Sequence, residues 1–235
     1  MKTKILAGIF LGLALASCGT LDLNPLSQGS SETWNSNAEE LEMSLNGLYK
    51  DAFWMVDSDE WTDDHNYRDA LTEITGATLT GQTGFIRTWW LNTYKAISRA
   101  NLVIHSVDRA TTLTENQRNR YLAEARFVRA AQYARLLSHF GNVVYTDEPL
   151  DIEKALQLRQ SPPQEVLQKI YEDFDFAATH LRTSYAASEM KRATSGAALA
   201  MKARIALYMS DWETAYDAAK ACIDLDEYRL HPDFG

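Results

Sequence analysis

The chain has 235 residues, 46% of them hydrophobic, which is enough for one sizeable helical core or two small ones and too many for a disordered segment. Eleven Gly and five Pro argue against a loop-rich sandwich or a low-complexity chain. A formal net charge of −9 disfavours general nucleic-acid binding, which calls for a basic face.

Lys2 and Lys4 precede an uncharged apolar run from Ile5 to Leu15. That run is too short to span a bilayer, which needs about 20 apolar residues. Leu15-Ala16-Ser17-Cys18 follows, small residues before a Cys, as at a bacterial lipoprotein processing site. The expectation is a signal peptide over residues 1–17, lipidation at Cys18, and a polar tether over residues 18–36 that contains Pro25 and several Ser. The alternative is an ordinary signal peptide with an incidental Cys. Cys222 is the other cysteine. With Cys18 acylated no intrachain disulfide can form, so Cys222 reads as a small buried core residue.

Residues 37–235 read as one helical domain. Asn37 with Glu40 fits a capping pair for a helix over 38–55, with Leu41, Leu45, Leu48 and Tyr49 at helical spacing. Residues 57–83, rich in Asp, Thr and Gly with isolated aromatics, break the pattern; such a segment inside a helical protein is often functional. A helix from Phe85 to Val107 comes next. The following one starts at Thr114, where Gln117 completes a capping box, and ends at Phe140-Gly141. Its apolar stripe is Phe127, Ala130, Ala131, Ala134 and Leu137.

Residues 142–160 are a connection with a short turn of helix over 152–158. Ser161-Pro162-Pro163-Gln164 predicts a capped helix running to Leu181. Thr194 caps a helix to Met209, and Ser210 with Glu213 caps a last one to Leu225. Ala203, Ala215 and Cys222 are the small residues that let these two helices approach, with Tyr208 and Trp212 as bulk beside them. The pair resembles a tetratricopeptide repeat, a helix hairpin that buries its faces by stacking sideways; an antiparallel bundle of another kind is the alternative. No alternating strand pattern of useful length occurs. The predicted fold class is all-α, built of stacked helix hairpins with irregular loops.

Sugars present apolar C–H faces and many hydroxyls, so aromatic rings flanked by planar hydrogen-bonding groups suit them. Trp54, Trp61, Asn66, Tyr67 and Arg68 have that chemistry on or beside the irregular segment, with Asp63 and Asp64 between. The alternative is that these aromatics anchor the loop to the core. Trp89 and Trp90 lie about 100° apart on their helix, so they cannot share one face, and one belongs to the core. Asp57-x-Asp59-x-Trp61-x-Asp63 brushes against a calcium loop but has Thr62 in place of the central Gly and Arg68 in place of the closing acid. His65 has no helix-spaced second His for zinc. No metal or cofactor is therefore expected. Arg126 and Arg129 near Glu124 read as a structural ionic cluster. No nucleophile elbow, phosphate loop or dinucleotide fingerprint occurs.

Four segments, in order, resemble the SusD/RagB family. WWLNTYKAISRAN (89–101) is similar to that family's W…Y..I..AN helix, and AEARFVRAAQYARLLSHFGNVVY (123–145) to its E.RF.RA…FG.VP segment. KRATSGAALAMKARIALYMSDWETA (191–215) resembles its R.T..AA..L.ARV.LY…W..A block, and SCGTLDLNP (17–25) its tether after the lipidated Cys. Val144 stands where the family commonly has Pro. Family chains are usually about twice this long, so the chain reads as an N-terminal portion or a cut-down product.

The resemblance implies a lipoprotein of the cell outer membrane, facing outward, that sits as a lid over a SusC-like TonB-dependent transporter and hands it glycans or peptides. It implies no enzymatic activity. Asn101, within the first matching helix, could contact ligand, although its place in that motif suits a structural bond. Two other readings stay open: a helical-repeat lipoprotein that only scaffolds other proteins, and a surface glycosidase.

Overall fold

The computed structural model describes residues 33–54, 61–62, 72–186, 192–230 and Pro232. The signal segment, Cys18, most of the tether, and Asn66, Tyr67 and Arg68 lie outside the described residues. Every described helix belongs to a body spanning Asn35–Gly235. Eight α-helices are described: α1 (Ala38–Leu48), α2 (Thr72–Thr75), α3 (Gly84–Ser106), α4 (Glu115–Phe140), α5 (Ile152–Gln157), α6 (Pro163–His180), α7 (Ser195–Tyr208) and α8 (Trp212–Asp224). Among the described residues no strand forms; Val143 and Ser161 make an isolated antiparallel bridge. The chain is all-α.

Local chemistry sets most helix starts. Asn37 Oδ1 accepts from the Glu40 amide at 2.9 Å, and Glu40 reaches back to the Ser36 amide at 2.8 Å. Both halves of the Thr114–Gln117 capping box are present. Thr194 caps α7 by accepting from the Ala197 amide at 3.0 Å. Gly141 ends α4 at φ +69°, where only glycine is unstrained.

Three expected boundaries move, each for a tertiary reason. α1 stops at Leu48 rather than 55, and a 3-10 turn over Asp51–Phe53 follows. The Phe53 carbonyl is held there by Gln132 Nε2 at 3.0 Å and Arg135 Nη1 at 3.3 Å, both from α4. Ser161 does not cap α6. Its amide donates to the Val143 carbonyl at 2.8 Å and its hydroxyl accepts from the Tyr145 amide, so Pro162 takes the cap position without a side-chain bond. Ser210 does not cap α8, because it turns the chain at φ +60°; Asp211 caps one residue later, accepting from the Thr214 amide.

α4 is the spine, packed against α1, α3 and α6. All five residues of its predicted stripe are buried, but so is most of its circumference from Tyr121 to Leu137, including Glu124, Arg129 and Gln132. Helices on several sides cover it, so polar residues enter the core with partners already assigned.

α7 and α8 form the predicted hairpin. Within it Ala198, Ala206, Ala215 and Ala218 are buried, whereas Ala203 and Cys222 are half-buried. Cys222 is thus not a fully buried core residue; it sits at the rim with its thiol 3.4 Å from the Gly196 carbonyl. Tyr208 and Trp212 do not fill the hairpin but point outward. At Gly196 an added Cβ would lie 2.3 Å from the Tyr228 ring, whose hydroxyl is 2.7 Å from Thr194 Oγ1. Glycine lets the segment after α8 fold back onto the start of α7.

Candidate functional site

The N-terminal half of α3 and the C-terminal end of α4 bring a chain of rings together. Trp61 lies 6.0 Å from Phe85 and 6.2 Å from Trp89, ring centre to ring centre. Trp89 meets His139 at 4.5 Å and Phe140 at 5.6 Å, both edge-on. Trp90 lies 5.0 Å from both Phe140 and Tyr94. Edge-on and tilted contacts at these distances are favourable and hold each ring at a defined angle.

The two adjacent tryptophans divide as their 100° separation requires. Trp89 is 4% exposed, whereas Trp90 is 36% exposed with Leu91 beside it at 50%. The indole N–H of Trp89 is buried without a hydrogen-bond partner, and the Arg135 guanidinium lies 5.2 Å over its ring. Trp89 therefore supports the cluster from inside. Trp90, which residue chemistry alone did not single out, and His139 are the exposed rings, and Trp61, Phe85, Tyr94 and Phe140 are half-buried. Exposure follows from the helix phase: position 89 shares the face of buried Thr93, Ala96 and Ala100.

Trp54 is half-buried and committed to the fold. Its N–H donates to the Leu48 carbonyl at 2.9 Å, and its ring lies between Tyr49 at 6.4 Å and Phe127 at 6.1 Å, nearly parallel to both. It also lines a groove of about 700 Å³ between α4 and α7, where it joins Arg135, His139, Met201, Arg204 and Tyr208. Arg135 and His139 touch Trp89 and also line this groove, so the groove adjoins the ring cluster.

Asn101 is fully buried. Its amide donates to the Thr146 carbonyl at 3.0 Å and the Glu148 carbonyl at 3.3 Å, and its oxygen accepts from Arg129 at 3.0 Å. All these bonds are internal, which is the structural bond its motif suggests. They tie α3 to the segment after α4.

The expected single ionic cluster separates into two. In one, Arg129 grips Asp173 of α6 through two bonds of 2.7 and 2.9 Å, with Arg126 at 3.5 Å. In the other, buried Glu124 accepts from Arg192 at 2.8 Å and from the Tyr49 hydroxyl at 3.1 Å, with Arg120 at 3.8 Å. Glu42 of α1 pairs with both Arg120 and Arg192. Burial pushes the Glu124 carboxyl above the usual carboxylate range, and Arg192 and Arg120 pull it only part of the way back. Burial likewise raises the Tyr94 hydroxyl to about 12, where it donates to the Val144 carbonyl and accepts from the Val144 amide. The acids and arginines of these two clusters thus serve the scaffold, and the ring cluster is a surface suited to an apolar, hydroxyl-rich ligand.

Residues 23–207 match the profile of the SusD-like family described as starch-binding, associating with outer membrane. The SusD-like protein P2 of Formosa agariphila is 26% identical; the match covers 100% of this chain and 49% of that protein. A SusD-like carbohydrate binding protein of Bacteroides fragilis shares the fold with a TM-score of 0.73 and 24% identity, over 85% of this chain and 43% of its own. A laminarin binding SusD-like protein does so with a TM-score of 0.68 and 23% identity, over 78% of this chain and 43% of its own. The chain spans about half the length of the relatives it matches.

Proposed function

Because this chain belongs to the SusD-like family of starch-binding, outer-membrane-associated proteins, we propose that it captures a glycan at the outer face of the cell and passes it to a SusC-like TonB-dependent transporter. It acts by binding and not by catalysis, held to the membrane through lipid on Cys18. The observation that carries this reading is the family match across residues 23–207, and the accessible ring cluster supplies a surface suited to sugar. Trp61 and Trp90 offer apolar platforms, and Asn66, Tyr67 and Arg68, close to Trp61 in sequence, are proposed as hydrogen-bonding contacts. Trp54, Trp89 and Asn101 act from behind by holding helix and ring positions.

Calorimetry on the unlipidated mature chain with laminari- and malto-oligosaccharides tests the binding. Trp61→Ala and Trp90→Ala should each weaken it by about tenfold, the worth of one well-placed aromatic contact. Absence of binding to any glycan, together with capture of a protein partner, would favour the scaffold reading.

Anchoring is tested in cells. Cys18→Ala should move the protein from the membrane fraction to the soluble one, because acyl chains supply the proposed attachment and no described helix is long and apolar enough to cross a membrane. A variant that stays with the membrane removes lipidation from the proposal.

A further inference from the structure

A pocket of about 440 Å³ opens where the segment after α4 meets the first turns of α6, a volume within the range of small-molecule sites. Tyr145 lines it from the segment, and Gln164, Gln168, Lys169 and Glu172 line it from α6. Positions 164, 168 and 172 are four apart, so they fall along one exposed stripe, while Ile170 and Phe174 face the core. Tyr145 is half-buried and fixed from two sides. Its ring lies 4.7 Å from that of Tyr133, tilted by 37°, and its amide donates to Ser161 Oγ at 3.4 Å.

The polar groups are those that sugar hydroxyls need. Burial pushes the Tyr145 hydroxyl above the usual tyrosine range, so it remains an O–H donor, and it has no hydrogen-bond partner among the described residues. Lys169 Nζ and Gln168 Nε2 lie 3.0 and 3.5 Å from the two oxygens of Glu172. The bond from Lys169 holds that carboxyl below the usual carboxylate range, which keeps it an ionised acceptor. Gln164 and Gln168 add planar amides that both donate and accept. Glu165 and Glu172 outnumber Lys169 in the lining, so the pocket disfavours anionic sugars.

The pocket also neighbours the ring cluster. Tyr94 lies 5.0 Å from Trp90, and its hydroxyl bonds both the carbonyl and the amide of Val144, the residue before Tyr145. One tyrosine therefore links the exposed Trp90 to the backbone that carries Tyr145. We propose that the pocket is a second subsite for a neutral glycan, taking a sugar further along the chain from the one on Trp90. The Tyr145 ring and hydroxyl meet that sugar, and Gln164, Gln168 and Glu172 bond its hydroxyls. This rests on the glycan reading above and adds a length requirement to it.

Calorimetry on the mature chain with laminari- and malto-oligosaccharides, from disaccharide to heptasaccharide, tests it. In the series that binds, affinity should rise about tenfold once the chain is long enough to occupy both subsites. Gln164→Ala combined with Gln168→Ala changes two exposed side chains and should leave the fold intact. It should remove the rise and leave the affinity of the shortest bound oligosaccharide unchanged. Tyr145→Phe keeps the ring against Tyr133, deletes the hydroxyl and should lose part of the same rise. Trp90→Ala should weaken every length. A double variant with the wild-type dependence on length, alongside weakened binding by Trp90→Ala, overturns the second subsite and leaves the glycan reading standing. A wild-type chain that binds neither series overturns the subsite together with the reading it rests on.

Discussion

Arg129→Ala should cost about 3–5 kcal/mol of folding stability, the usual result of removing one partner from a buried, hydrogen-bonded ion pair. Arg129 and Asp173 are both about 95% buried and meet through two parallel bonds. The same guanidinium donates to Asn101 Oδ1 and to the Asp147 carbonyl, so it joins α3, α4, α6 and the segment after α4. Removing it strands the Asp173 carboxylate with only the longer contact to Arg126 and leaves the Asn101 oxygen without a donor. At about 2–4 °C per kcal/mol for a body of this size, the midpoint of a thermal melt should drop by roughly 10 °C. Arg126→Ala should cost under about 1 kcal/mol, since Arg126 is a third exposed and its contact is longer. Equal losses in the two variants would show that the buried fork is not the principal tie between α4 and α6.

Arg192→Ala should destabilise the protein more at neutral than at acid pH. Arg192 bonds Glu124, Glu42 and Asn46, pinning the start of the segment into α7 against α1 and α4. Without it the fully buried Glu124 keeps the Tyr49 hydroxyl and a distant Arg120, so about 2–4 kcal/mol should be lost at pH 7. The pH dependence has a definite sign. The folded-state pKa of Glu124 already lies above its reference value of 4.5 through burial, and removing a cation raises it further. A carboxyl with a raised folded pKa favours folding fully below the unfolded value and loses that contribution as pH rises through the folded value. Stability relative to wild type should therefore fall as pH is raised from about 4.5 towards 8, and adding Glu124→Gln should flatten the fall. Urea midpoints across that range measure it. A difference between variant and wild type that does not change with pH would mean that Glu124 stays ionised with or without its partner.

Position, and not chemistry, decided which aromatic residues are available to a ligand. The sequence favours Trp61 over Trp54 and leaves open which of Trp89 and Trp90 faces outward. The structure commits Trp54 to a stack with Tyr49 and Phe127, places Trp89 inside, and leaves Trp90 and Trp61 at the surface. The helical phase already separated Trp89 from Trp90. Its sign, meaning which of the two faces the core, depends on where α4 lies.

Helix starts at Asn37, Thr114 and Thr194 and the glycine stop at Gly141 were all determined by the sequence, because each rests on bonds or backbone freedom within a few residues; of the small residues expected between α7 and α8 only Ala215 is buried. Ser161 and Ser210 looked equally like caps and are not, since the Tyr145 amide of another segment occupies the hydroxyl of the first and the turn between α7 and α8 claims the second. Partner choice among the charges was decided only by the tertiary structure. Arg129 finds Asp173 and Arg192 finds Glu124 across 44 and 68 positions, a pairing that depends on how helices stack and that no local pattern encodes. The same holds for α8. Its apolar arc is written in its periodicity, but the division into an alanine edge that is covered and an aromatic stripe that is not exists only once α7 is packed beside it.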